Sequence, residues 1–224
     1  MNILVIAAHP DDEVLGCGGT IARHVSDGDT VHILIVAEGA TSRQGDDFSE
    51  ELKELRNAAH QSAAVLGAQP PRLLGLPDNK LDTLPMLDIV QLLEQAVDKI
   101  KPETIYTHHG GDLNLDHRIV HQATVTACRP LPESLVRRIY AYEVVSSTEW
   151  GTSGIDAPFH PVHFVDISSE IQRKKEAIEC YAMEMREFPH PRSWQAIEAQ
   201  MRFRGASAGL PAAEAFQVIR QIDS

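Results

Sequence analysis

The stretch AAHPDDEVLGCGG, from Ala7 to Gly19, sets His9, Asp11, Asp12 and Glu13 directly after the apolar run Ile3-Leu4-Val5-Ile6. Carboxylates gathered at the end of a buried strand are costly unless a positive charge compensates them. A second polar cluster, THHGGDLNLDHRIVH, runs from Thr107 to His121 after another apolar stretch. Histidine and carboxylate together offer the N and O donors that Zn²⁺ takes in catalytic sites, where three protein ligands leave a further position for water. A bound cation would supply the missing positive charge, and an acid beside it could serve as general base. The plainer reading is an Asp-Asp-Glu helix start steadied by the helix dipole. It leaves His9 and the second cluster without a reason.

Both clusters fall where a strand hands over to a helix. Apolar, β-branched runs predict strands at Ile3–Ala7, Val31–Val36, Arg72–Leu76, Thr104–Thr107 and Arg138–Tyr142. Amphipathic stretches at about Asp12–Ser26, Ser49–Leu66, Pro85–Lys99 and His117–Cys128 predict the intervening helices. Pro102, Pro130 and Pro132 punctuate helix ends. Repeated βα units imply an α/β, Rossmann-like three-layer fold with a mainly parallel sheet. In such a sheet ligands bind beyond the carboxyl ends of the strands, where the strand order reverses. Strands one and four flank that point in the usual order, so the two clusters should face each other across a crevice.

After Glu143 the pattern changes. VVSSTEWGTSGIDAPFH reads as a long loop, VHFVDIS as a short strand, and SSEIQRKKEAIECYAMEM as an amphipathic helix opened by a Ser cap. The expectation is one domain over 1–224, with a core at 1–142 and a C-terminal cap of loop, strand and helices at 143–224. No internal repeat or low-complexity segment divides it.

Other residues offer chemistry with an ordinary alternative. GCGGT, from Gly16 to Thr20, lacks the third glycine of a dinucleotide fingerprint and the Lys of a P-loop, so close helix-to-sheet packing explains it better. Asp78 and Asn79, in GLPDNKLDT after strand three, could bind a polyol or simply form a turn. Arg43 and Arg56 follow strand two and leave room for one phosphate or carboxylate on a substrate, the alternative being a surface ion pair of Arg56 with Glu54 or Asp47. His190 stands between two prolines in FPHPRS, held in an extended loop that either reaches the site or is exposed. His121, one turn beyond His117, is a rival for the metal.

The charge balance limits the partners. Lys+Arg 20 against Asp+Glu 32 gives a net charge of −12, which repels phosphate backbones and anionic membranes, so a nucleic-acid partner is not expected. Cys17, Cys128 and Cys180 are far apart and form no Cys-x-x-Cys pair, which fits a reducing, cytoplasmic setting. No apolar stretch approaches membrane-spanning length.

The motif Ala8-His9-Pro10-Asp11-Asp12-Glu13, the Gly-rich helix start and a distal loop ending in Asp116-His117 resemble the LmbE-like, or PIG-L, zinc-dependent de-N-acetylases. GLPDN, EVVSSTEW and PHPRS extend the likeness over most of the chain. The resemblance implies His9, Asp12 and His117 as ligands of one Zn²⁺, and Asp11 as the general base. It also implies removal of an acetyl group from an amino sugar or sugar conjugate, and a homo-oligomer, trimer or hexamer. Many members carry His-x-x-His in the distal loop, whereas this chain has Asn114 where the first His would stand. An Asn amide can donate to an oxyanion but cannot deliver a proton. Asp11 is therefore expected to return the proton it takes, with His108, His109 or His190 as a helper, and Asp116 to orient a ligand histidine. Substrate contacts are expected from Arg43, Arg56, Asp78, His109 and His190. Two other classes would use the same residues: a metal-dependent hydratase or lyase on a small organic acid, and a carbohydrate-binding protein. The second has no need of a base beside the metal.

Overall fold

The computed structural model describes residues 1–39 and 49–223, so Arg43 lies outside the described residues. Five strands, β1 (Asn2–Ala7), β2 (Thr30–Ala37), β3 (Arg72–Leu76), β4 (Thr104–His108) and β5 (Arg138–Tyr142), run parallel. Two more, β6 (His163–Asp166) and β7 (Ala213–Gln221), complete one sheet in the order β3-β2-β1-β4-β5-β7-β6, with β7 antiparallel to both its neighbours. The helices are α1 (Asp12–Ser26), α2 (Ser49–Leu66), α3 (Met86–Ile100), α4 (Leu115–Ala127), α5 (Ile171–Glu179) and α6 (Trp194–Ser207).

Side chains alternate across a strand, so β1 feeds two cores. Ile3, Val5 and Ala7 pack on one face with residues of α1, α2, α5 and α6; Leu4, Ile6 and Ala8 pack on the other with α3 and α4. The architecture is the expected α/β three-layer one. The strand order reverses between β1 and β4, which places the ends of those two strands on either side of a crevice.

Three elements depart from the sequence reading. β7 was not expected there as a strand. Glu214 shares a face with Phe216 and Val218, Ala215 and Gln217 lie on the other, and a register shift opposite Ile139/Tyr140 breaks the alternation before Arg220, so no clean apolar face marks the strand. The helix expected across 168–185 ends at Glu179, and a single 3-10 turn follows at Ala182–Glu184. Leaving the helix lets Tyr181 turn inward onto Glu13 and Glu184 onto Arg192. Finally, α4 begins at Leu115 because the Asn114 side chain accepts from Asp116 N at 2.8 Å and caps it.

The glycines of α1 act through packing. A Cβ on Gly16 would come within 2.2 Å of the Tyr142 ring, and one on Gly19 within 2.8 Å of Ile167. The helix is broken at Cys17 (φ −147°, ψ 26°). Beyond the break, the Glu214 carboxylate of β7 accepts from Gly19 N (2.9 Å) and Thr20 N (2.7 Å), capping the second part of the helix from outside. Lys174 of α5, buried, donates to the same carboxylate at 2.6 Å and to the Leu15 carbonyl at 2.9 Å.

Candidate metal centre

After β1 the chain makes a tight turn that sets His9 and Asp12 side by side. His9 N donates to Asp12 Oδ2 at 2.8 Å, and Ala8 N donates to His108 Nε2 at 2.8 Å across the β1/β4 crevice. Asp11 lies between the two at φ 102°, a left-handed conformation that favours glycine. From the other side of the crevice, the cap at Asn114 orients the first turn of α4 and brings in His117.

His9 Nδ1 and His117 Nε2 stand 3.4 and 3.3 Å from the same oxygen, Asp12 Oδ2. One ligand atom from each of His9, Asp12 and His117 lies within 4.8 Å of the others. The remaining oxygen, Asp12 Oδ1, is buried with no hydrogen-bond partner. A buried carboxylate with one oxygen in reach of two imidazoles and the other left without a partner is a donor set that suits a divalent cation such as zinc. These residues fit a metal.

The surroundings hold each donor in place. Asp116 Oδ2 lies 3.1 Å from His9 Nε2 and also accepts from Asn79 N (2.7 Å), while Oδ1 accepts from Leu81 N (3.1 Å). Asp78 Oδ1 is 3.2 Å from the same His9 nitrogen. Asp112, fully buried, sits 3.2 Å from His117 Nδ1, accepts from Thr148 Oγ1 at 2.6 Å and is bonded by the Ser147 hydroxyl. The His108 ring stacks on His117 at 3.9 Å. Its Nε2 accepts from Ala8 N, which assigns the proton to Nδ1, and burial keeps the ring neutral by lowering its pKa well below the usual value.

Charge in this cluster follows burial and partners. Burial opposes the cationic form of His9, yet hydrogen bonds to Asp116 and Asp12 push it up to about 10. Burial likewise opposes His117, and the charge of Asp12 with Asp112 behind it pushes it up to about 9. Burial alone would raise Asp12, but His117 and its neighbours hold it well below the usual carboxylate range. Asp112 is held down to about 2 by His117 and the two hydroxyls, again against burial. Asp11 differs, because burial pushes it up to about 7 while Arg192 pulls the other way. Burial also pushes Glu13 up to about 8, although Tyr181 donates to Oε1 at 2.6 Å and Asp11 N to Oε2 at 3.1 Å.

A cleft of about 180 Å³ opens beside these donors, lined almost wholly by polar groups. His9, Asp11, Asp78, Asn79 and Asn114 border it, with Glu184 and Arg192 arriving from the C-terminal region. Asn114 lies at the rim, its Nδ2 donating to Asn79 Oδ1 at 3.2 Å.

Several expected residues are elsewhere. His121 Nδ1 bonds the His108 carbonyl at 2.8 Å, and His121 does not join the cluster of donor atoms from His9, Asp12 and His117. His109 is held by the Ala157 carbonyl at 2.7 Å, and His190 accepts from Arg192 N at 3.0 Å; neither they nor His108 line the cleft. Arg56 is paired with Glu38 at 2.7 Å on the surface, and Asp47, one of the partners expected for it, lies outside the described residues. Arg192, Glu184 and Asp112 were not singled out from sequence. Arg192 stands two residues after His190 in the PHPRS stretch, and Asp112 sits inside the His-rich loop, so both lay within segments already marked for attention.

The family model PIG-L, GlcNAc-PI de-N-acetylase, matches residues 4–128. An uncharacterized deacetylase, YaiS of Escherichia coli (strain K12), is 32% identical over 139 residues, 60% of this chain and 71% of that protein. A 1D-myo-inositol 2-acetamido-2-deoxy-alpha-D-glucopyranoside deacetylase of Mycolicibacterium vanbaalenii is 29% identical over 155 residues, covering 56% of this chain and 54% of its own length. The match therefore spans about half of that relative. Among solved structures, the conserved protein TT1542 of Thermus thermophilus superposes with a TM-score of 0.77 at 26% identity, over 99% of this chain and 96% of that one. The N,N'-diacetylchitobiose deacetylase of Pyrococcus horikoshii gives 0.77 at 20% identity, over 98% and 84%. The 4-carboxy-2-hydroxymuconate hydratase GalB of Pseudomonas putida KT2440 gives 0.79 at 22% identity, over 100% and 98%. At that identity the last two show a shared fold.

Proposed function

The chain belongs to the PIG-L family, and from that premise we propose that it is a zinc-dependent hydrolase that removes the acetyl group from an N-acetylated sugar or sugar conjugate. The observation that carries this reading is the grouping of His9, Asp12 and His117 with one Asp12 oxygen left without a partner, while His9 and Asp11 border a polar cleft. His9, Asp12 and His117 would hold the metal. Zinc bound there would act as a Lewis acid, polarising the acetamide carbonyl and lowering the pKa of water towards ~7.

Asp11 does the proton work. Its carboxylate takes a proton from the attacking water and, as the C–N bond breaks, passes it to the departing amine nitrogen, leaving acetate and a free amino sugar. A carboxyl raised to about 7 suits both steps, because it accepts and releases a proton near neutrality. Asn114 keeps one N–H beyond its bond to Asn79 and is suited to donate to the carbonyl oxygen as charge develops there. Asp78 and Asn79 offer polar atoms on the same wall for sugar hydroxyls. Arg56, His109 and His190 are left out of the substrate site, since each is committed elsewhere.

The test is a panel of N-acetylated amino sugars and their conjugates, assayed for acetate and free amine with a chelator and after Zn²⁺ is restored. Chelator-sensitive acetate release is expected. Asp11→Asn should retain zinc and lose roughly 10²-fold or more in turnover, the scale of a lost general base. Acetate release indifferent to chelator would overturn the metal assignment. Turnover only of a conjugated organic acid, followed by its loss of absorbance, would favour the hydratase alternative.

A further inference from the structure

The C-terminal region contributes one guanidinium to the cleft. Arg192 Nη1 donates to Asp11 Oδ2 at 2.7 Å and lies 3.5 Å from Glu184 Oε2. Its Nε donates to Ser146 Oγ at 2.9 Å. Those partners sit on three separate segments: the turn after β1, the 3-10 turn after α5, and the loop after β5. The backbone of Arg192 is fixed as well, its N–H on His190 Nδ1 at 3.0 Å and its carbonyl accepting from Arg186 N at 3.3 Å. Among the described residues that line the cleft, it is the one Lys or Arg.

We infer that Arg192 is a positioning residue for the reaction, holding Asp11 by Oδ2 so that Oδ1 is the oxygen that exchanges the proton. The inference rests on the reading of Asp11 as proton acceptor and donor. Aspartate has a short side chain, and a carboxylate free to swing about its last torsion presents either oxygen to the substrate. A charge-assisted bond to one oxygen removes that freedom. The planar guanidinium is held at Ser146 on one edge and at Asp11 on another, an arrangement that a lysine ammonium on its flexible stem cannot reproduce.

Two measurements on zinc-loaded protein test this. In crystals, Asp11 should occupy one orientation in the wild type and split or weak density in Arg192→Met, a result independent of any turnover. In steady-state kinetics on the best acetylated sugar, Arg192→Met and Arg192→Lys should both lose about 10²-fold in kcat with KM changed by less than about 3-fold, the scale of a misplaced catalytic group. Added guanidinium ion should restore kcat to Arg192→Ala by tenfold or more, and each variant should retain the wild-type zinc content. An ordered, unmoved Asp11 in Arg192→Met would overturn the inference, as would a rise in KM alone or a loss of zinc. If the wild type releases no acetate, the deacetylase reading fails, while the crystallographic comparison still decides the role of Arg192.

Discussion

Proton and metal compete for the same atoms at this centre. His9 and His117 are pushed up to about 10 and about 9, so at neutral pH a cation must displace protons from both. Calorimetric titration of the metal-stripped protein with Zn²⁺ at pH 7, in buffers of different ionisation enthalpy, should show about two protons released per ion. Apparent affinity should fall as pH drops below that of His117. For the metal-stripped protein the sign of the stability effect is fixed: both histidines have folded values above their ordinary 6.5. Their contribution is present in full below pH 6.5 and is lost as pH rises through about 9 to about 10, so thermal melts should show lower stability at pH 10 than at pH 6.5. Asp112→Asn should weaken zinc binding roughly 10- to 100-fold, the usual effect of losing a carboxylate behind a ligating histidine. The grouping of His9, Asp12 and His117 was legible in sequence because each belongs to a local motif at a strand-to-helix junction. Arg192 reaches Asp11 across 181 residues of chain, and no local spacing announces such a contact.

Among the elements, α1 depends most on a strand far away in sequence. The break at Cys17 exposes amides that Glu214 of β7 accepts, and the same carboxylate neutralises Lys174. Glu214→Ala would leave a buried ammonium unpaired and should cost about 3–5 kcal/mol in denaturant unfolding. Adding Lys174→Met to that variant should recover part of the loss, because the stranded charge is then gone. The central strands β1 and β2 were readable because they are buried on both faces and their apolar runs are continuous, while the edge strand β3 is only partly buried. β7 was not, since its buried Glu214 makes sense only once Lys174 and the amides of α1 are in view. The early end of α5 had the same cause, with Tyr181 drawn to Glu13 by a contact that helical periodicity cannot reveal.

In the whole molecule, the region after Glu143 is part of the sheet that carries the site. β7 pairs with β5 from Arg138↔Gln221 to Tyr142↔Phe216, and β6 closes the edge beyond it. A chain ended at Ser207 lacks β7 and strips the edge of β5, the cap on α1 and the partner of Lys174. We expect it to show no cooperative unfolding transition by circular dichroism. A sharp transition would mark 1–142 as a unit that folds alone, the division into core and cap expected from composition. Among the described residues no helix is long and apolar enough to cross a membrane. The backbone at Asp11, at φ 102°, carries a further consequence for how such a molecule can change. Glycine would relax that position, and a buried carboxylate would vanish with the substitution. With the role proposed for Asp11, heat tolerance and turnover pull residue 11 in opposite directions. Directed evolution that rewards survival on heating alone would tend to drift towards folds that outlast the parent and hydrolyse nothing, so each round of thermostabilisation needs selection for product as well.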